Sequence, residues 1–210
     1  MIKIKKRTED SITITLFDIS DRQQYYSNPQ QRIYCHNIPK NASSFIQRAM
    51  YHFENFDNSK KNFAIIREPK QRLISALNYD NFFDDHTAVE FIESWKNKKT
   101  DKLKIMLAKI SEINFIPQHV YINNCPLNWP ELEYYFTFEN FTKNFQDCLK
   151  KMNIGYNGDK TKINQNKSFA KHKMVSVVEK NLEGRWKDWF EEVYSQDITL
   201  YNQVKLGEIT

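Results

Sequence analysis

The chain has 210 residues, 40% of them hydrophobic, 27% charged and 14% aromatic, and 31 Lys and Arg against 26 Asp and Glu give a formal charge of +5. This composition suits one globular domain with a substantial core and excludes disorder as the global state. No apolar run approaches the roughly 18 residues of a membrane span, and the mildly positive field favours anions such as nucleotides or acidic glycans without choosing among them.

The N-terminal Met1-Ile-Lys-Ile-Lys-Lys6 is basic and lacks the apolar core of a signal peptide, so the expected location is cytoplasmic. Cys35, Cys125 and Cys148 form no CxxC pair, which fits a reducing compartment better than a disulfide framework. Ser11 to Phe17 alternates polar and apolar residues like a half-exposed strand, whereas 32–36 and 62–67 are continuous apolar runs of the buried-strand type.

A helical pattern follows each buried run. Phe45, Ile46, Ala49, Met50 and Phe53 recur after Ser43 and Ser44, and Leu73, Ile74, Leu77 and Phe82 recur after Pro69, a favoured first-turn residue. Farther on, 87–110 reads as helix with a break near 97–100, 132–138 as a strand and 141–152 as an amphipathic helix. Residues 155–173 read as a polar loop, and 174–204 as helix again. Tandem strand-turn-helix units with buried strands predict an α/β fold, a parallel sheet flanked by helices, whose ligands bind beyond the C-terminal strand ends.

Both polar turns fall at that edge. In the first, Pro39-Lys40-Asn41-Ala42-Ser43-Ser44-Phe45, a helix start supplies unpaired amides, Lys40 an ammonium and the serines hydroxyl donors. The GxxxxGK pattern of nucleotide triphosphatases is missing, which argues against an ATPase or GTPase. In the second, Arg67-Glu-Pro-Lys-Gln-Arg-Leu-Ile-Ser75, an arginine at the strand end is able to grip a phosphate with two parallel bonds. Two anion sites on adjacent turns suggest one ligand with two separated phosphate-type groups.

PKNASSF followed by IIREPKQRLISAL resembles the paired nucleotide-binding motifs of sulfotransferases that use 3′-phosphoadenosine-5′-phosphosulfate (PAPS), closest to the carbohydrate branch. Phe115-Ile-Pro-Gln118, Tyr135-Phe-Thr-Phe-Glu139, Asn164-Gln-Asn-Lys-Ser168 and the segment Tyr194 to Tyr201 resemble further pieces of that branch in order. Glu68 stands where the family has aspartate, and Asn114 where related sequences often have histidine.

The resemblance implies a minimal, P-loop-like sulfotransferase fold that passes a sulfuryl group from PAPS to an acceptor hydroxyl on a glycan. The product would be the desulfated nucleotide (PAP), and no metal would be involved. Lys40 would stabilise charge on the departing phosphate. The turn 39–45 would hold the 5′-phosphate, Arg67 and Ser75 the 3′-phosphate, and Lys167 and Ser168 would cover the nucleotide. For the general base, His52 and Glu54 lead, with His119 and His86 behind them.

Plainer readings stand beside these. Lys40 and the serines also suit a solvated helix cap, Arg67 and Arg72 suit surface ion pairs, and Asp84-Asp85-His86 suits a solvated loop better than a metal site. Two other functions fit the chain as a whole. One is a module that binds PAPS or PAP without turnover. The other is a basic nucleic-acid-binding protein, disfavoured because charges of both signs are scattered along the chain, so neither a nucleic-acid nor a membrane partner is expected.

Overall fold

The computed structural model describes residues 25–79, 83–109, 112–123, 132–158 and 175–208. Its strands are β1 (Tyr25–Asn28), β2 (Ile33–His36), β3 (Phe53–Asn55), β4 (Lys61–Ile66), β5 (Tyr134–Thr137) and β6 (Ile154–Tyr156). Its helices are α1 (Ser43–Ala49), α2 (Pro69–Leu77), α3 (Asp85–Lys96), α4 (Thr100–Leu107) and α5 (Gln118–Asn123), then α6 (Phe141–Lys151), α7 (Val175–Glu183), α8 (Lys187–Val193) and α9 (Ser195–Leu206). Short 3₁₀ turns occupy Met50–His52 and Glu112–Phe115.

β4 is buried at all six positions, and its alternate side chains feed two cores. Phe63 and Ile65 join Phe45, Ile46, Phe136, Phe141 and Phe145 under α1 and α6, whereas Ala64 and Ile66 join Tyr121, Tyr201 and Val204 under α5 and α9. Period-two alternation thus explains why a continuous apolar run serves a strand covered on both faces. A third cluster, built on Leu73, Phe91, Trp95, Phe115 and Trp186, binds α2, α3, α4, α7 and α8 together.

The main sheet runs in the order β1-β2-β4-β5, with β2, β4 and β5 parallel and β1 antiparallel to β2. The expected parallel sheet is therefore a mixed one with mostly parallel strands. The antiparallel edge arises because only four residues separate β1 from β2, room for a hairpin and none for a crossover helix. A second sheet pairs β3 with β6 antiparallel, so the stretch expected as loop from 155 begins as a strand.

The break expected near 97–100 is real: α3 stops at Lys96, Lys98 turns with φ 53°, and α4 starts at Thr100. Asp84 caps α3 by accepting from the Thr87 amide at 2.7 Å, and Asp85 and His86 form the first turn of that helix, so the stretch expected as a solvated loop is a capped helix start. The strand expected at 11–17, and Phe82, Cys125, Lys167, Ser168 and His172, lie outside the described residues. Among the described residues no helix is long and apolar enough to cross a membrane.

Candidate anion-binding site

β2, β4 and β5 end at one edge of the sheet, and the segments after them, 37–42, 67–68 and 138–140, meet there. The first carries an unusual backbone. Lys40 and Ala42 have φ of 70° and 61°, while the intervening Asn41 does not share the positive φ. Left-handed conformations cost an L-residue about 1–2 kcal/mol each. Alternating hands turn successive amides toward one concavity, the arrangement that holds anions in phosphate loops.

Ala42 is the N-cap of α1 and offers no side-chain acceptor. The Phe45 and Ile46 amides donate to Ala42 O, and the Asn41 amide to Ile38 O, whereas those of Ala42, Ser43 and Ser44 find no acceptor among the described residues. The Ser43 hydroxyl bonds to the phenol of Tyr26 on β1, and Ser44 is exposed. Phe45 works as an anchor: it is buried edge-on against Phe141 and Phe145, which fixes the start of α1.

The second turn is organised differently. Glu68 caps α2 itself, accepting from the amides of Lys70 at 3.1 Å and Gln71 at 2.7 Å. Its helix start is therefore already satisfied by a carboxylate, and the anion-seeking groups are side chains. Arg67 donates from Nη1 to Lys40 O at 3.0 Å, and Arg72 from Nε to Pro39 O at 3.1 Å. Both guanidiniums thus hold the carbonyls of the first turn.

Each retains a buried nitrogen, Arg67 Nε and Arg72 Nη2, without an acceptor. Arg72 is only 1% exposed, which removes the surface ion-pair reading. Burial drives the Arg67 guanidinium down to about 10, with the charge of Arg72 adding to the fall and that of Glu139 opposing it. An unpaired buried guanidinium is costly, and an anionic ligand would remove that cost.

Helical spacing puts Arg72, Ser75 and Tyr79 along one side of α2 and its C-terminal turn. Arg72 touches Pro39, and the Tyr79 ring lies 3.6 Å beneath Lys40 Nζ, so Ser75 sits between two contacts to the first turn. The structure brings Pro39, Lys40, Asn41, Ala42, Ser43, Ser44, Arg67 and Ser75 into one neighbourhood. His52 and Glu54 are not part of it. They lie beyond the far end of α1, a helix about 10 Å long by its rise per residue, with Glu54 on β3 and bonded to Asn157.

Sequence reasoning missed the group that joins the turns. Gln118 Oε1 accepts from Asn41 Nδ2 at 2.5 Å and from the Arg67 amide at 2.9 Å, and Gln118 Nε2 donates to Arg67 O at 2.8 Å. The Gln118 amide in turn donates to Asp197 at 2.7 Å. From the third strand end, Phe138 lies under the Arg67 guanidinium and Glu139 accepts from the Glu68 amide. Burial and the nearby Glu139 carboxylate push the Tyr201 phenol up to about 12.

The only signals in the sequence were the quoted pieces containing Gln118, Glu139 and Asp197. Comparison of the chain with protein-family models, with curated proteins and with solved structures finds no match, so the reading of this site rests on its own geometry and chemistry.

Proposed function

We propose that the chain is a PAPS-dependent sulfotransferase with a sulfotransferase-type fold, acting on an acceptor hydroxyl of a carbohydrate. The observation that carries this reading is the meeting of two unlike anion sites across one strand boundary. The open amide turn at 39–44 faces one end of the ligand, and the buried nitrogens of Arg67 and Arg72 face the other. A nucleotide with phosphate at both 3′ and 5′ positions has that charge distribution.

In this reading the amides of Ala42, Ser43 and Ser44 hold the 5′-phosphate, and Arg67, Ser75 and Arg72 hold the 3′-phosphate. Lys40 supplies positive charge to the oxygen between phosphorus and sulfur as the bond to sulfur breaks. To do so its ammonium leaves the exposed ring of Tyr79, giving up about 0.5–1 kcal/mol of cation–π attraction. The reaction follows the pattern of phosphoryl transfer, in which positioning and preset donors supply most of the acceleration.

Calorimetric titration with PAP, followed by transfer of labelled sulfate from PAPS to a panel of hydroxyl-bearing acceptors, tests the proposal. Binding of PAP and appearance of labelled product are expected; a chain indifferent to PAP sinks it. The placement of His52 and Glu54 away from the turn favours a second reading, a module that binds PAP without chemistry. PAP binding with no consumption of PAPS would select that one.

A further inference from the structure

His119 follows directly on Gln118, whose side chain joins the two anion-binding turns. Its Nδ1 lies 2.7 Å from Asp197 Oδ1, and the same carboxylate accepts the backbone amides of His119 at 2.9 Å and Gln118 at 2.7 Å. Asp197 is fully buried, whereas the His119 side chain is 20% exposed. An ionised carboxylate accepts hydrogen bonds and gives none, so the neutral imidazole keeps its proton on Nδ1 and leaves a lone pair on Nε2. Three donors fix Asp197, and Asp197 fixes the ring.

We propose that His119 is the general base for the acceptor hydroxyl, with Asp197 as the positioning residue that sets its tautomer and orientation. The proposal rests on the sulfuryl-transfer reading and supplies the proton acceptor which that reading lacks at His52 and Glu54. As the acceptor oxygen forms its bond to sulfur, the hydroxyl proton passes to Nε2. The bond from sulfur to the bridging oxygen breaks, and its electron pair stays on the 5′-phosphate of PAP. The imidazolium formed is stabilised by the Asp197 charge and returns its proton to water after release. The dyad would otherwise serve only to clamp α5 to α9, a role with different consequences on substitution.

The test uses His119→Ala and Asp197→Asn, each measured for PAP binding by calorimetry and for consumption of labelled PAPS, with water and with saccharide alcohols as acceptors. Turnover of His119→Ala is expected to fall by about 10²–10⁴ with PAP affinity retained, the usual contribution of a positioned base. Added imidazole should restore part of the rate, and pyrazole, of the same size and far weaker as a base, should not. Asp197→Asn should fall in rate without rescue; if it fails to fold, His119→Ala and its rescue decide alone.

Wild-type turnover in His119→Ala, or equal response to imidazole and pyrazole, overturns the base while leaving the donor site standing. A wild-type chain that binds PAP and never consumes PAPS also overturns the base and selects the binding module. One that does not bind PAP removes the sulfuryl-transfer reading itself, and the base with it.

Discussion

The two turns at the sheet edge solve one electrostatic problem by opposite means. The turn before α1 leaves three amides without an acceptor among the described residues and holds two L-residues in the left-handed region, so its anion-seeking groups belong to the backbone. The turn before α2 satisfies its own amides with Glu68 and presents guanidiniums instead. Backbone donors are fixed in place by the fold and cannot relax away from a transferring group, whereas arginine side chains suit a spectator phosphate that needs grip. The division matches a ligand that reacts at one end and is held at the other.

Removing the Lys40 ammonium would disturb the reacting end most. Lys40→Ala is expected to lower turnover by about 10²–10³ with only modest loss of PAP affinity, as for deletion of a transition-state donor, read by steady-state transfer and calorimetry in parallel. Equal losses in both would erase the distinction between the ends.

The strand that leads into the first turn carries a pH liability of comparable size. Burial drives the His36 imidazole down to about 4 from an ordinary value near 6.5. The unfolded chain therefore binds this proton more readily, and the stability due to neutral His36 is complete above about pH 6.5 and lost as the pH falls toward 4. At one pKa unit per 1.36 kcal/mol, the full loss is on the order of 3 kcal/mol. Between pH 7 and pH 5 the stability read from urea titrations should fall by about 2 kcal/mol of that total, and His36→Gln should shrink the difference.

At the gripping end, Arg67→Ala should weaken PAP by about 10- to 100-fold, the equivalent of a charge-assisted bond, while kcat at saturating PAPS changes little. A fall confined to kcat would place Arg67 at the reacting end instead. The smallest effects contrast the turns directly. Glu68→Ala should lower stability by about 1 kcal/mol through loss of a cap, and Ala42→Gly should raise it by about 1 kcal/mol through relief of the left-handed backbone. Opposite signs in urea titrations would confirm that one turn is satisfied and the other strained.

Local patterning made β2, β4, β5 and the broken α3/α4 pair legible, because continuous apolar runs and helical spacing are properties of neighbours in sequence. β1 and the small β3-β6 sheet had no comparable signal, since their segments lack the apolar runs that marked the equally short β2 and β5, and α5, at six residues, is too short to define a helical period. In the site, Lys40 and Arg67 stood out by chemistry and spacing. Gln118 did not, because its partners at 41, 67 and 197 are brought to it by the fold alone. Arg72 could pass for a surface cation until its burial against the Pro39 carbonyl was visible.

Asp197 has a bearing on how the molecule comes to be assembled. The two anion-seeking turns begin at residues 39 and 67, yet the carboxylate that secures Gln118 between them emerges from the ribosome more than a hundred residues later. Contacts of such separation form late in folding. A nascent or truncated polypeptide ending before residue 197 would carry both loops without their keystone, so competence to hold an anionic ligand should appear only after that carboxylate has been made.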